Sequence, residues 1–528
     1  MEVSASFASV ALHLALPPGG QPVSTGTIIR VVPGELPPSI VRSAPLSGCA
    51  SESAASCGTF VLDMRPFRPA GDERGHEMKH RMIALLALAI ALTVVPSAAL
   101  ALPSMPSTLF EASDGCGCHA AFREQWGVSM HAKALTDPIY LYELELGEEA
   151  TGGALGPFCN ACHSPIAVMA GELVSLDHSK VSDVGMEGVT CDFCHQVTGT
   201  EGDVIGDTST AVSGDGVKLA NIRDPEAPHP AAYSQFHETA EFCGNCHNVN
   251  HPGNGMHLEA TYTEWKDSPY AAAGIVCQDC HMTPGPGVTK PREGTAGGGG
   301  PTRDHVYTMT FAGGNVGLGD AVRAEERLKA AATLELEVPE VVESGEVPVM
   351  TTITNSGAGH YLPTGLTEVR QMWLEVTATD ENGAELLSER REFGSVLRDA
   401  EGNYPVYLWD AVAFQSDDRI PPQESTSNEY SFPMASGPVT VKAALYYRSC
   451  SEEIAKKSGV EIPTTTMAEA VSVVYPSAEA VGMTDTEFRA MQDGTGGGIG
   501  LLSAVAIFGL MAAALVVMKV VMDKKGTS

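Results

Sequence analysis

The sequence predicts an α+β, multidomain chain. A mainly helical and irregular region rich in cysteine and histidine comes first, followed by an antiparallel β-sandwich of immunoglobulin-like type and one C-terminal transmembrane helix. Three observations predict this order. Ten of the thirteen cysteines fall in five tight clusters between Cys116 and Cys280. Residues 333–480 carry short runs of alternating apolar and polar residues separated by turn signals. Ile499 to Met518 is a run of twenty residues without a charge, about one bilayer span.

The first hundred residues stand apart from these. Met78 to Ala101 begins with Lys79, His80 and Arg81, continues as a short alanine-rich apolar run and ends in Ala99-Leu100-Ala101. That is the pattern of a secretory signal peptide. Residues 1–77 precede it, rich in Ser, Pro and Gly and without sustained periodicity, and read as a misassigned or disordered leader. The expected mature chain therefore runs through a cysteine-rich domain at 102–318, a connecting helix at 319–332, the β-sandwich at 333–480, a glycine-rich linker at 481–498, the span at 499–518 and a tail at 519–528.

Lys519, Lys524 and Lys525 follow the span, so the positive-inside rule puts the tail in the cytoplasm and the body outside it, periplasmic or at the cell surface. The signal peptide gives the same orientation. The net charge of -33 lies beyond residue 101, because acidic and basic residues balance before it. Such a surface repels nucleic acid and anionic lipid and suits soluble life outside the cell.

Chemistry is carried by the cysteines. Four clusters share one pentapeptide: Cys159-Asn-Ala-Cys162-His163, Cys191-Asp-Phe-Cys194-His195, Cys243-Gly-Asn-Cys246-His247 and Cys277-Gln-Asp-Cys280-His281. This is the c-type haem attachment spacing: two thiols reach the two vinyl groups of one porphyrin, and the following His becomes an axial iron ligand. Zinc ribbons also use Cys-x-x-Cys pairs, but need no His after every second Cys. A redox dithiol occurs once per fold, and a disulfide framework does not repeat a fixed pentapeptide. The fifth cluster, Cys116-Gly117-Cys118-His119, is one residue short, which leaves open whether one thioether or two would form and whether another metal sits there. The expected cofactor is haem c at four sites, with a fifth at Cys118 and His119.

With Gly/Pro-rich connections such as "TPGPG" around the motifs, the porphyrins themselves are expected to serve as core. An iron with two protein ligands passes electrons, whereas one with an open position can bind substrate. Beyond the five motif histidines, residues after 101 include His131, His178, His229, His237, His251, His257, His305 and His360. His229, His305 and His360 sit in loops marked by Pro or Gly, where backbone can approach a porphyrin face, and His131 follows the first cluster with Trp126 nearby.

The run from Phe242 to Met282, "FCGNCHNVNHPGNGMHLEATYTEWKDSPYAAAGIVCQDCHM", resembles multihaem cytochromes of the cytochrome c-552/c-554 type. So do "EGVTCDFCH" and the pairing of the first cluster with "EQWGVSMHA", and "NSGAGHYLPTG" is similar to part of a β-rich domain attached to some of them. The resemblance implies an electron carrier with mostly bis-histidine haems, with His131, His229, His305 and His360 as distal ligands. The fifth distal ligand stays open among His178, His237, His251 and His257. It implies redox proteins or membrane electron-transport components as partners, and no nucleic acid. The same superfamily includes nitrite reductases and hydroxylamine oxidoreductases, so an enzyme acting on small nitrogen compounds at one open haem is the alternative. The chain has no Cys-x-x-Cys-Lys motif and fewer haem motifs than the hydroxylamine oxidoreductases. The β-sandwich offers no catalytic constellation, and Cys450 reads as a buried, unpaired thiol.

Overall fold

A computed structural model describes residues 104–289 and 291–481, Glu487, and two short paired strands, Ala11–Leu12 and Thr27–Ile28. The rest of the leader, the signal peptide, most of the linker, the span and the tail lie outside the described residues. Among the described residues, no helix is long and apolar enough to cross a membrane.

From residue 104 to about 320 the chain forms short helices, 3-10 turns and two-stranded ribbons. The longer helices are α1 (Ala120–Gly127), α2 (Pro138–Thr151) and α3 (Gly156–His163). Helix α2 starts where Asp137 accepts a hydrogen bond from Ile139 N, with Pro138 in the first turn, and stops at Gly152 in the left-handed region. This region has more apolar packing than the sequence suggests. Phe110, Ile166, Met169, Val184, Phe193, Val197 and Val212 form one buried cluster, and Leu135, Ala167 and Leu173 another. These residues come from segments too short to show periodicity, so their pattern was invisible along the chain.

Helix α4 (Ala321–Ala331) follows, started by Asp320 accepting from Arg323 N at 3.2 Å. It fastens the segment after the last cysteine motif, because Arg323 donates to Pro284 O and Arg327 to Gly287 O and Thr283 O.

The β-region consists of two antiparallel sheets over one core. With β1 (Thr333–Glu337), β2 (Glu346–Thr354), β3 (Gln371–Asp380), β4 (Glu385–Phe393), β5 (Ser425–Pro433), β6 (Val439–Arg448) and β7 (Thr465–Val474), the orders are β1-β2-β5 and β4-β3-β6-β7. Alternation sets the faces: Val347, Val349, Thr351 and Ile353 of β2 point inward while their neighbours point out. The inner faces meet through Phe432, Met372, Leu374, Val441 and Leu445, each fully or nearly fully buried. Burying each of the larger side chains contributes about 1.5–3 kcal/mol.

Several contacts join the two regions. Ile139 of α2 packs with Val369, Cys450 and Ala455. His251 Nε2 lies 3.1 Å from Trp409 O, and Asn254 donates to Ala411 O. Arg419 forms an ion pair with Glu264 in which both side chains are almost fully buried, and Glu264 also accepts from Tyr361 N and Thr364 Oγ1. These last bonds hold the loop that carries His360.

Candidate metal centres

Each complete motif closes a helical turn. His195 N bonds to Cys191 O at 3.0 Å, His247 N to Cys243 O at 3.0 Å and His281 N to Cys277 O at 2.9 Å, while Cys159 to His163 ends α3. A turn of this length puts residues i, i+3 and i+4 on one face. Both thiols and the imidazole of one motif therefore address a common space. Thr190 starts the second of these turns by accepting from Phe193 N. At the short motif the turn is tighter, with His119 N bonded to Cys116 O at 2.9 Å, and Cys116 precedes Cys118 by only two residues.

The five motif imidazoles are oriented alike through Nδ1. His119 lies 2.5 Å from Ala296 O, His163 2.7 Å from Ala134 O, His195 2.6 Å from Leu219 O and His281 2.7 Å from Ala312 O. His247 differs: its Nδ1 partner is the Glu259 carboxylate, at 3.1 Å. A proton held on Nδ1 leaves the Nε2 lone pair free for a metal.

Four motif rings face a second imidazole. The centroid distances are 6.2 Å for His119 and His229, 6.2 Å for His247 and His131, 6.1 Å for His195 and His237, and 6.3 Å for His281 and His360. A metal–imidazole bond of about 2.0–2.1 Å puts a ring centre about 3 Å from the metal, so two axial imidazoles on one iron stand about 6.2 Å apart. All four spacings fit an iron between the rings. His237 adds an orphaned atom: its Nε2 lies 3.0 Å from Cys194 O, while its Nδ1 is sealed from solvent without a partner. The donor set, two thiols and a histidine per motif, suits haem c.

His163 is different. Its ring stacks face to face on Tyr140 at 3.6 Å and 8°, and the Tyr140 hydroxyl donates to the buried Asn160. Among the described ring contacts it has no second imidazole. The remaining histidines lie elsewhere. His305 is bonded to the neighbouring Asp304 on the strand Thr302–Val306, and among the described ring contacts it meets no motif imidazole. A carboxylate one residue away captures the imidazole there. His251 is taken up by Trp409 O and Gly253 N, and His257 is exposed. His178 has a buried Nε2 without a partner, yet forms no ring pair with His163. His237, which the sequence reading left among four alternatives, stands at the second complete motif. The signal was its position in "SQFHETAEF", where a 3-10 turn, Gln235–Glu238, turns it back onto His195.

The motifs themselves are clustered. Cys162 Sγ lies 4.0 Å from Cys246 O, and the Cys243 thiol is near enough to Cys277 to be pushed up by it. Cys194 is near enough to Cys246, and Cys191 to Cys116, for each thiol to be pushed up by its neighbour as well as by burial. A cleft of about 690 Å³ lined by His257, Glu264, Tyr361, Asp417 and Arg419 contains none of the five motif histidines.

The family described as "Cytochrome c554 and c-prime" matches residues 116–196. The crystal structure of a penta-heme cytochrome c552 from Thermochromatium tepidum is similar over 70% of this chain and 100% of its own, at 22% identity and a TM-score of 0.53. A likeness at that identity shows the fold. A putative beta-galactosidase from Bacteroides fragilis (10% identity, 27% of this chain, 17% of that chain, TM-score 0.15) and a Bacteroides uniformis beta-glucuronidase (10%, 28%, 14%, TM-score 0.15) resemble it too weakly to carry an argument. No curated protein matches the chain. The attachment motifs, the family match over the first three of them and the shared fold agree: residues 116–196 are similar to the family of cytochrome c554 and c-prime, and the chain shares the fold of a penta-heme cytochrome c552.

Proposed function

We propose that this cytochrome holds five haems c and passes electrons among them, four of its irons lying between two imidazoles. The observation that carries the proposal is the set of four histidine pairs at 6.1–6.3 Å. The distal ligands are then His229, His131, His237 and His360 for the motifs ending in His119, His247, His195 and His281. When bound, haem supplies reversible one-electron chemistry. The chain's own residues fix each imidazole through Nδ1 and hold the motifs close together. At the short motif the proposal is a single thioether through Cys118, since residues two apart do not share the face that i and i+3 share.

The sequence supports an exported protein anchored by residues 499–518, with the body outside the cytoplasm and redox proteins as partners. The proposed division is a cytochrome domain at 102–318, the connecting helix at 319–332 and a β-domain at 333–480. For the β-domain the three-plus-four arrangement of strands supports an immunoglobulin-like sandwich.

A second reading has its own observation, the absence of a paired imidazole at His163 among the described ring contacts. An iron there with one protein ligand would be open to a small ligand such as nitrite or hydroxylamine, as a reductase or oxidase requires. Low-temperature EPR of the oxidised holoprotein with and without nitrite separates the cases. A high-spin signal that nitrite converts to low spin supports the open site. Five low-spin haems, one of which turns high-spin in His178→Ala, would assign His178 as its cap and leave a carrier alone.

A further inference from the structure

Among the five motif histidines, four give Nδ1 to a backbone carbonyl and one, His247, to a carboxylate. The difference is built into the local fold. Directly after the motif, Val249–Asn250 pairs antiparallel with His257–Glu259, in register Val249 to Glu259, and this ribbon brings the carboxylate back beside the imidazole. The Glu259 side chain is 18% exposed and that of His247 52%, so the carboxylate is shielded while the imidazole is open on one side.

The motif so treated is also the central one. Cys162 Sγ lies 4.0 Å from Cys246 O, and Cys194 and Cys277 are near enough to Cys246 and Cys243 to interact electrostatically, so this motif neighbours the three other complete motifs. The short motif is reached through Cys191. The motifs thus form a branched path: 116–119 to 191–195 to 243–247, and from there to 159–163 on one side and 277–281 on the other.

We infer that Glu259 lowers the reduction potential of the haem held by His247, making the junction of the branched path the site that keeps its electron least readily. The physical reason is that a carboxylate accepting the Nδ1 proton makes the imidazole a stronger donor to iron, which stabilises the oxidised metal more than a carbonyl does. Electrons then rest on the branches and cross the junction only transiently, so transfer between branches is slower than transfer within one. Glu259 acts through His247 and is a positioning residue. The inference rests on the multihaem reading above.

The test is a redox titration of the full-length holoprotein and its Glu259→Gln variant, with haem count and low-spin EPR signals recorded on the same samples. Glutamine keeps a hydrogen-bond acceptor and removes the charge. The expected result is one wave moved to higher potential, a change in one low-spin signal and an unchanged haem count. Superimposable titrations with full haem content would overturn the inference while leaving the multihaem reading intact. A wild-type protein with fewer than four low-spin haems would overturn that reading instead. Should the glutamine variant fail to mature, Glu259→Asp decides, because the shorter side chain cannot reach Nδ1 but keeps its charge. A wave raised in the aspartate variant supports the role of the hydrogen bond, and an unmoved one contradicts it.

Discussion

The rings of His281 and His360 stand 6.3 Å apart with their planes 16° from parallel, although one belongs to the last cysteine motif and the other to a loop of the β-domain. The loop is held closely. A Cβ on Gly357 would fall 1.9 Å from Ala330 O, so only glycine fits there, and Asn355 donates to His360 O. On the proposed reading the β-domain supplies a ligand to a site in its neighbour. His360→Ala is expected to turn one low-spin haem high-spin and let it bind carbon monoxide when reduced, read by EPR and optical spectra. An unchanged spin state would remove His360 from the iron.

The Glu264–Arg419 pair governs that same loop. Removing one partner of a buried pair costs about 3–5 kcal/mol when the other is left unpaired, but Arg419 also pairs with Asp417 through Nε and Nη2, each at 2.8 Å. Glu264→Ala leaves Arg419 with Asp417 but frees Tyr361 N and Thr364 Oγ1, so a loss at the lower end of that range is expected in denaturant unfolding of the holoprotein. The double variant with Arg419→Ala should lose clearly less than the sum of the single losses. Additive losses would mean the two groups do not interact.

At the short motif the account distinguishes two cysteines by mass. Cys118→Ser should remove one covalently bound haem, whereas Cys116→Ser should leave the covalent count unchanged. Equal losses from both variants would indicate two thioethers despite the contracted spacing.

Glu368 predicts a pH dependence. Its Oε1 is sealed from solvent without a partner, and burial, helped by Glu143 and opposed by Arg370, pushes the carboxyl from its ordinary 4.5 up to about 7. Between those values the unfolded chain has lost this proton and the folded chain has kept it. The contribution of Glu368 to stability is therefore fully present below 4.5 and falls as pH rises towards about 7. Glu368→Gln should be more stable than the parent at neutral pH and lose the advantage at acidic pH, in melting curves taken across that range. Parallel curves would show that the group does not titrate in this way.

The motifs were legible because covalent haem attachment needs contiguous residues in one turn, so five residues of sequence carry the whole signal. The distal histidines were less legible, because each is delivered by folding from elsewhere in the chain. His305 read as part of a loop marked by Pro or Gly, but it lies on a strand with its ring against Asp304. His237 looked like part of a helix leading to the next motif, but a 3-10 turn set it against His195. The sheets were legible from alternation, as in β2, where every second residue is buried. The carboxylate on His247 was not, since Glu259 reaches it only through a two-residue ribbon that leaves no periodic trace.

The most direct measurement is the intact mass of the purified holoprotein combined with spin quantitation of its oxidised EPR spectrum. The account predicts five covalently bound haems, four low-spin with two axial imidazoles each and one high-spin at His163. Four haems, or fewer than four low-spin irons, would contradict the reading of the histidine pairs as axial ligand sets.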